Sequence, residues 1–244
     1  MVSRDKWLGH GLTAIEVNST FYRLPSEAFV ASLTELPASV SIVVKLWRYI
    51  THMKFLKDIE PEWKEFVESL RRARNRIDAV LVQMPPRFHY NSTNMERLVN
   101  LKRLADGSGL KIAVEVRDKS WLNNAAFAKL KKHSIVLVGT VIKRTKPDQK
   151  WLGTMPTGTF IPPLTGQFSY TRFHGSKGFR GLYTKRELET IKRDIVGLSA
   201  RNNYVFFNNA FFDYKEGPKT CPVVKTRAAA LCDAVMFESM VARN

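Results

Sequence analysis

Cysteine is scarce: Cys221 and Cys232 are the only two in 244 residues. They lie eleven apart within what reads as a helical pattern, which is neither a disulfide framework nor a zinc spacing. Reduced thiols in an intracellular compartment, cytoplasmic by default, are therefore expected. The chain also lacks 18 consecutive apolar residues, so no transmembrane helix and no membrane partner are expected. Its opening, MVSRDKWLGHGLTAIEV, has no apolar h-region and no small-residue cleavage pattern, so secretion is not signalled. Nucleotide motifs of the forms G-x-G-x-x-G and G-x-x-x-x-G-K-[ST] are missing, as is the G-x-S-x-G elbow. No cofactor is expected.

Acid is scarce where base is dense. The whole chain carries 39 Lys and Arg against 22 Asp and Glu, a net charge of +17. Residues 123–186 hold twelve basic side chains and a single acid, Asp148. A field of that sign concentrates anions, and nucleic acid is the obvious polyanion. Lys143, Arg144 and Lys146 are its candidate contacts. A solvated lysine-rich surface is the bland alternative.

What is abundant is short apolar, β-branched runs alternating with longer amphipathic ones, the pattern of repeated βα units on a parallel sheet. The strand candidates are 12–18, 40–46, 77–84, 111–117, 134–139, 169–175 and 203–208. Between them lie helical stripes such as Trp63, Phe66, Val67 and Leu70, and a capping box is read at Thr184 and Glu187. Seven such units fit one α/β domain over 1–244, a TIM-type (β/α) barrel. The stretch 140–168 reads as a long loop over the C-terminal ends of the strands.

Strands buried on both faces should be continuous apolar runs. These are, until their last residues, where polar groups appear two apart: Glu16 and Asn18, Glu115 and Arg117, Arg172 and His174. Residues i and i+2 share a face, so each pair points the same way. Lys45, Gln83 and Asn208 are single polar residues at equivalent ends. Six strands thus aim polar side chains into one mouth, where a barrel carries its site. Ion pairs closing the barrel top are the bland reading of any single residue.

Glu115, His174 and Glu16 are the catalytic candidates, as groups able to exchange protons. Arg117, Arg172 and Lys45 supply charge for a carboxylate or phosphate, and Asn18, Gln83, Asn208 and Asn209 can orient hydroxyls or an oxyanion. Trp121 and the neighbouring aromatics Phe21, Trp47, Tyr49 and Phe88 can stack on a base or sugar, or simply pack. His52 shares no strand-end spacing and reads as bland. A divalent metal on Glu16, Glu115 and His174 is a weak alternative, because no H-x-H, D-x-D or H-E-x-x-H spacing is present.

The blocks EVNSTFYRLPS (16–26), VVKLWRYITH (43–52), VLVQMPPRF (80–88), AVEVRDKSW (113–121), RFHGSKGFRGLYTKREL (172–188) and FFNNA (206–210) resemble, in order, those of the YecE-like family, also catalogued as domain of unknown function 72. The resemblance implies a TIM-type barrel with the strand-end mouth as its site, and implies no reaction. Family members begin with a further strand and a Gly-Trp-Ser-Tyr-like segment that residues 1–11 do not match, so the expectation is seven recognisable strands with the first family strand missing. Three functional readings remain open: an enzyme working by acid/base chemistry on a phosphate-bearing or other anionic substrate, a non-catalytic nucleic-acid-binding protein, and a carbohydrate-active enzyme using the paired glutamates.

Overall fold

The structure is a computed structural model and describes residues 9–142, 158–176, 181–208, 221 and 228–241. Each expected apolar run forms a strand. β1 (Ala14–Val17), β2 (Ser41–Lys45), β3 (Ile77–Gln83), β4 (Ile112–Glu115) and β5 (Val136–Leu137) pair in parallel, in chain order, as a five-stranded sheet. A second sheet has the order β7–β6–β8–β9, from β6 (Gly139–Ile142), β7 (Gly158–Phe160), β8 (Ser169–Phe173) and β9 (Asn203–Phe207). β6, β8 and β9 are parallel, and β7 runs antiparallel to β6.

The connections are helical: α1 (Glu27–Thr34), α2 (Glu60–Ser69), α3 (Ser92–Gly107), α4 (Asn124–Lys132), α5 (Lys185–Gly197) and, after β9, α6 (Ala229–Val241). Side chains fix where several begin. Ser26, Asn91 and Asn123 each accept a backbone N–H from the first turn, and Thr184 forms the expected capping box with Glu187. Their apolar stripes cover the outer faces of the strands. Trp63, Phe66, Leu98 and Leu101 pack with Ile42, Val44, Val80, Val82 and Val114, while Leu188, Ile191 and Ile195 pack with Val141 and Phe173.

The alternate residues form a separate inner core that draws on both sheets: Val43, Leu81, Ala113 and Val138 from one side, Tyr170, Tyr204 and Phe206 from the other. The two sheets therefore face one another. They meet along 136–142, where one extended run leaves β4 and joins β8. Gly139 sits at that crossing, and a Cβ there would lie 3.0 Å from the Phe160 carbonyl oxygen and 3.2 Å from Thr171 Oγ1. At the other seam β1 lies alongside β9, but no ladder joins them among the described residues. A groove of about 640 Å³ runs there, lined by Ile15, Val205, Phe207 and Phe237, with Glu16 and Asn208 on its wall. The strand pairing thus gives an α/β fold of two apposed sheets, and no closed ring of strands forms among the described residues. Residues 1–8, where a further strand would be sought, lie outside the described residues.

Two expectations are corrected. The stretch 140–168 is not all loop: Thr140-Val141-Ile142, β-branched throughout, completes β6, and 158–160 returns as β7. The cysteines are not two thiols on one helix. Cys221 and Cys232 are disulfide-bonded with Cα atoms 5.7 Å apart. Eleven residues of helix would hold them roughly 16 Å apart, but α6 begins only at Ala229 and Cys221 lies ahead of it. The bond withdraws the argument for a reducing compartment. No helix of the described residues is long and apolar enough to cross a membrane.

Candidate functional site

The inner core ends in a polar layer by strand periodicity alone. Ala14, Val43, Leu81, Ala113, Tyr170 and Phe206 lie in or against the inner core. Two residues further along the same strands come Glu16, Lys45, Gln83, Glu115, Arg172 and Asn208. A second step of two gives Asn18, Arg117 and His174. Hydrogen bonds join seven of these residues, Glu16, Asn18, Gln83, Glu115, Arg117, Arg172 and Asn208.

Arg172 is its centre. One terminal nitrogen donates to Glu115 Oε2 and the other to Glu16 Oε1 at 2.7 Å, so a single guanidinium bridges carboxylates from β1 and β4. Glu115 Oε1 accepts from Arg117 Nε at 3.0 Å, and Arg117 reaches across to Gln83 Oε1 at 3.0 Å. Glu16 also accepts from Asn18 at 2.9 Å, Tyr170 at 2.7 Å and Asn208 at 3.3 Å. Beside this network Arg172 Nε and the hydroxyl of Thr140, its register partner on β6, are buried without a partner among the described residues.

These contacts set the ionisation. Burial raises the Glu16 and Glu115 carboxyls, but their partners together outweigh it and hold both below the usual carboxylate range: Arg172 with Tyr170 and Asn18 at Glu16, and Arg172 with Arg117 at Glu115. The two glutamates raise Arg172 against its own burial, so it stays charged. Burial dominates at His174, lowered to about 3, and the imidazole is neutral. Lys45 is lowered to about 8, first by burial and then by Arg172. Among the described residues three cations thus face two carboxylates, one positive charge in excess.

That excess sits at Lys45. Its side chain is buried, with its ammonium 4.1 Å from the centroid of the Phe21 ring. Thr20 places the ring, since its hydroxyl donates to Lys45 O at 2.7 Å and ties the short 3-10 turn Ser19–Phe21 to the end of β2. His52 meets the same ring edge to face at 5.0 Å. It stands on a short π-helical turn, Tyr49–Met53, a local geometry often found at functional positions. Burial and the neighbouring Lys45 lower it to about 4.

Nine of the expected site residues therefore gather here: Glu16, Asn18, Lys45, Gln83, Glu115, Arg117, Arg172, His174 and Asn208 on strand ends, with the aromatic Phe21 above Lys45. Trp121 does not. It is wholly buried, stacks on Phe88 at 5.6 Å and donates its indole N–H to Phe88 O at 2.7 Å, so it is core and cannot meet a substrate. Asn209, Lys143, Arg144 and Lys146 lie outside the described residues. Sequence reasoning missed Tyr170 and His52. Tyr170 carried a signal, standing two residues before Arg172 on the same face; His52, on an irregular turn, carried none. No group of three or more His, Cys, Asp or Glu placed to hold a metal occurs among the described residues. A metal on Glu16, Glu115 and His174 would have to displace Arg172 from both carboxylates, so the donor set does not fit one.

A two-sheet α/β fold with a charged network at its strand ends is the class that these features define. The chain matches the family model "Protein of unknown function DUF72" over residues 6–233 and belongs to that family. It is similar to the crystal structure of a DUF72 family protein from Thermotoga maritima, with 28% identity, 97% of this chain and 87% of that one covered, and a TM-score of 0.76. A DUF72 family protein from Enterococcus faecalis matches at 21% identity over 97% and 92% of the two chains, with a TM-score of 0.74. No curated protein matches.

Proposed function

We propose that the chain is an enzyme of the (β/α)-barrel kind, opened at the β1–β9 seam, acting on a substrate that carries a phosphate or carboxylate group. The observation that carries this reading is the charge balance of the mouth among the described residues: two carboxylates stand against Arg172 and Arg117, and Lys45 has no carboxylate there. Buried charge normally has its partner in the protein, and a partner supplied by a ligand explains a site assembled from six strands.

Roles follow from ionisation. Arg172 is internal, orienting Glu16 and Glu115. Arg117, partly exposed, and Lys45 meet the anion. Neutral His174 accepts a proton, while Glu115 stays ionised and positions Arg117. Paired-carboxylate chemistry on carbohydrates is less well supported, because it needs one carboxyl to keep its proton near neutrality and a shared guanidinium opposes that. The reading of the basic quarter as a nucleic-acid footprint rests on composition alone.

Calorimetric titration with simple sugar phosphates tests the proposal. Arg117→Gln should weaken binding by roughly tenfold or more, the usual worth of a hydrogen bond to a charged group. Unchanged affinity in that variant, or phosphate-ester turnover that survives His174→Ala, would sink it.

A further inference from the structure

Lys45 differs from every other cation of the mouth in what it lacks. Only 8% exposed, it has no ion pair or hydrogen bond from its ammonium among the described residues; its one contact there is the face of Phe21. Glu16 and Glu115 stand in the same layer, yet they give their oxygens to arginines. A lysine kept for structure would reach a carboxylate. A lysine kept for its nitrogen lone pair is better left without one, in an apolar setting beside other cations, since both conditions favour the neutral amine.

We infer that Lys45 is a nucleophile that forms a Schiff base with a small aldehyde or ketone carrying a phosphate or carboxylate. This rests on the reading of the mouth as an anion site and assigns the anion to Arg117. The Nζ lone pair attacks the carbonyl carbon, forming a C–N bond as the C=O π pair moves to oxygen. Both protons of the amine leave with that oxygen as water, and a C=N bond remains. No oxidant or metal is needed. The groups that set the amine's protonation are Arg172, Glu115, Arg117 and Glu16 from the strand ends and His52 from the π-helical turn, and the folded value near 8 agrees with the role.

The full chain is incubated near pH 8 with glyceraldehyde 3-phosphate, pyruvate or uncharged glyceraldehyde, reduced with borohydride and mapped by mass spectrometry. Adduct on Lys45 should form on the order of a hundredfold faster than on ordinary surface lysines, which are almost wholly protonated there. Glyceraldehyde should react more slowly, and inorganic phosphate should suppress the reaction. Lys45→Arg should abolish the adduct, and Phe21→Leu should slow it by re-solvating the amine. Competitive acetylation of the unaltered chain across pH needs no variant and should give Lys45 a midpoint near 8. Label spread over surface lysines with Lys45 no faster, or a midpoint near 10.5, would overturn the inference. If phosphate still binds in that case, the anion site stands and only the nucleophile falls. Rapid Lys45 labelling by glyceraldehyde and glyceraldehyde 3-phosphate alike, without phosphate binding, would support the nucleophile and overturn the anion reading.

Discussion

With a folded value near 8 against 10.5 for an ordinary lysine, Lys45 binds fewer protons in the fold than in the unfolded chain between those limits. Stability linked to it therefore rises with pH across that window, and below pH 8 the buried ammonium costs about 3 kcal/mol. Lys45→Met should stabilise the protein at pH 7 by up to roughly that amount, and the gain should fade by pH 10 in urea unfolding. His174 has the same sign lower on the scale. Its folded value is near 3 against 6.5, so stability falls as pH drops from 6.5 towards 3, and His174→Asn should flatten that arm. Glu16 and Glu115, both lowered from 4.5, add a further loss that begins only below that value. Arg172→Met leaves buried Glu16 without a cation and Glu115 with Arg117 alone, and should cost about 3–5 kcal/mol at pH 7. At this scale the strand-end network was legible because polar residues two apart break an apolar run. Tyr170 was hidden because an aromatic there reads as core, and Trp121 was misread for the converse reason: position after a strand end says nothing of which way a ring packs.

Elements were legible where local chemistry decides them. Thr184 and Glu187 announce α5, and a Thr184→Ala change should lower stability by about 1 kcal/mol. They were not legible where tertiary contact decides. Nothing local marks Gly158–Phe160 as a strand; its strand state comes from pairing with β6. Helical periodicity was likewise carried too far back from α6, which concealed the Cys221–Cys232 bond. That bond closes a short loop, so Cys232→Ser should lower thermal stability by roughly 2–3 kcal/mol, and added reductant should do the same to the unaltered chain while leaving the variant unchanged.

For the whole molecule, the repeated βα units and the strand ends they bring together follow from alternation and from periodicity of two, and both stood in the sequence. The β1–β9 seam did not, because closure depends on how sheets curve and meet rather than on any segment's pattern. Nor does net charge say where anions settle. If the basic quarter binds nucleic acid, neutralising Lys143, Arg144 and Lys146 together should reduce the log–log salt slope by roughly two to three, measured by filter binding on a short duplex. The mouth is a separate claim, and a compact one: a single phosphate held by Arg117 beside Lys45. Titration of ribose 5-phosphate, followed through the histidine ring protons by NMR, tests it most directly. His52 and His174 should shift together and saturate, with His10, His89 and His133 unmoved, and Arg117→Gln should remove the response. Shifts confined to those outer histidines, or an unaltered response in Arg117→Gln, would contradict it.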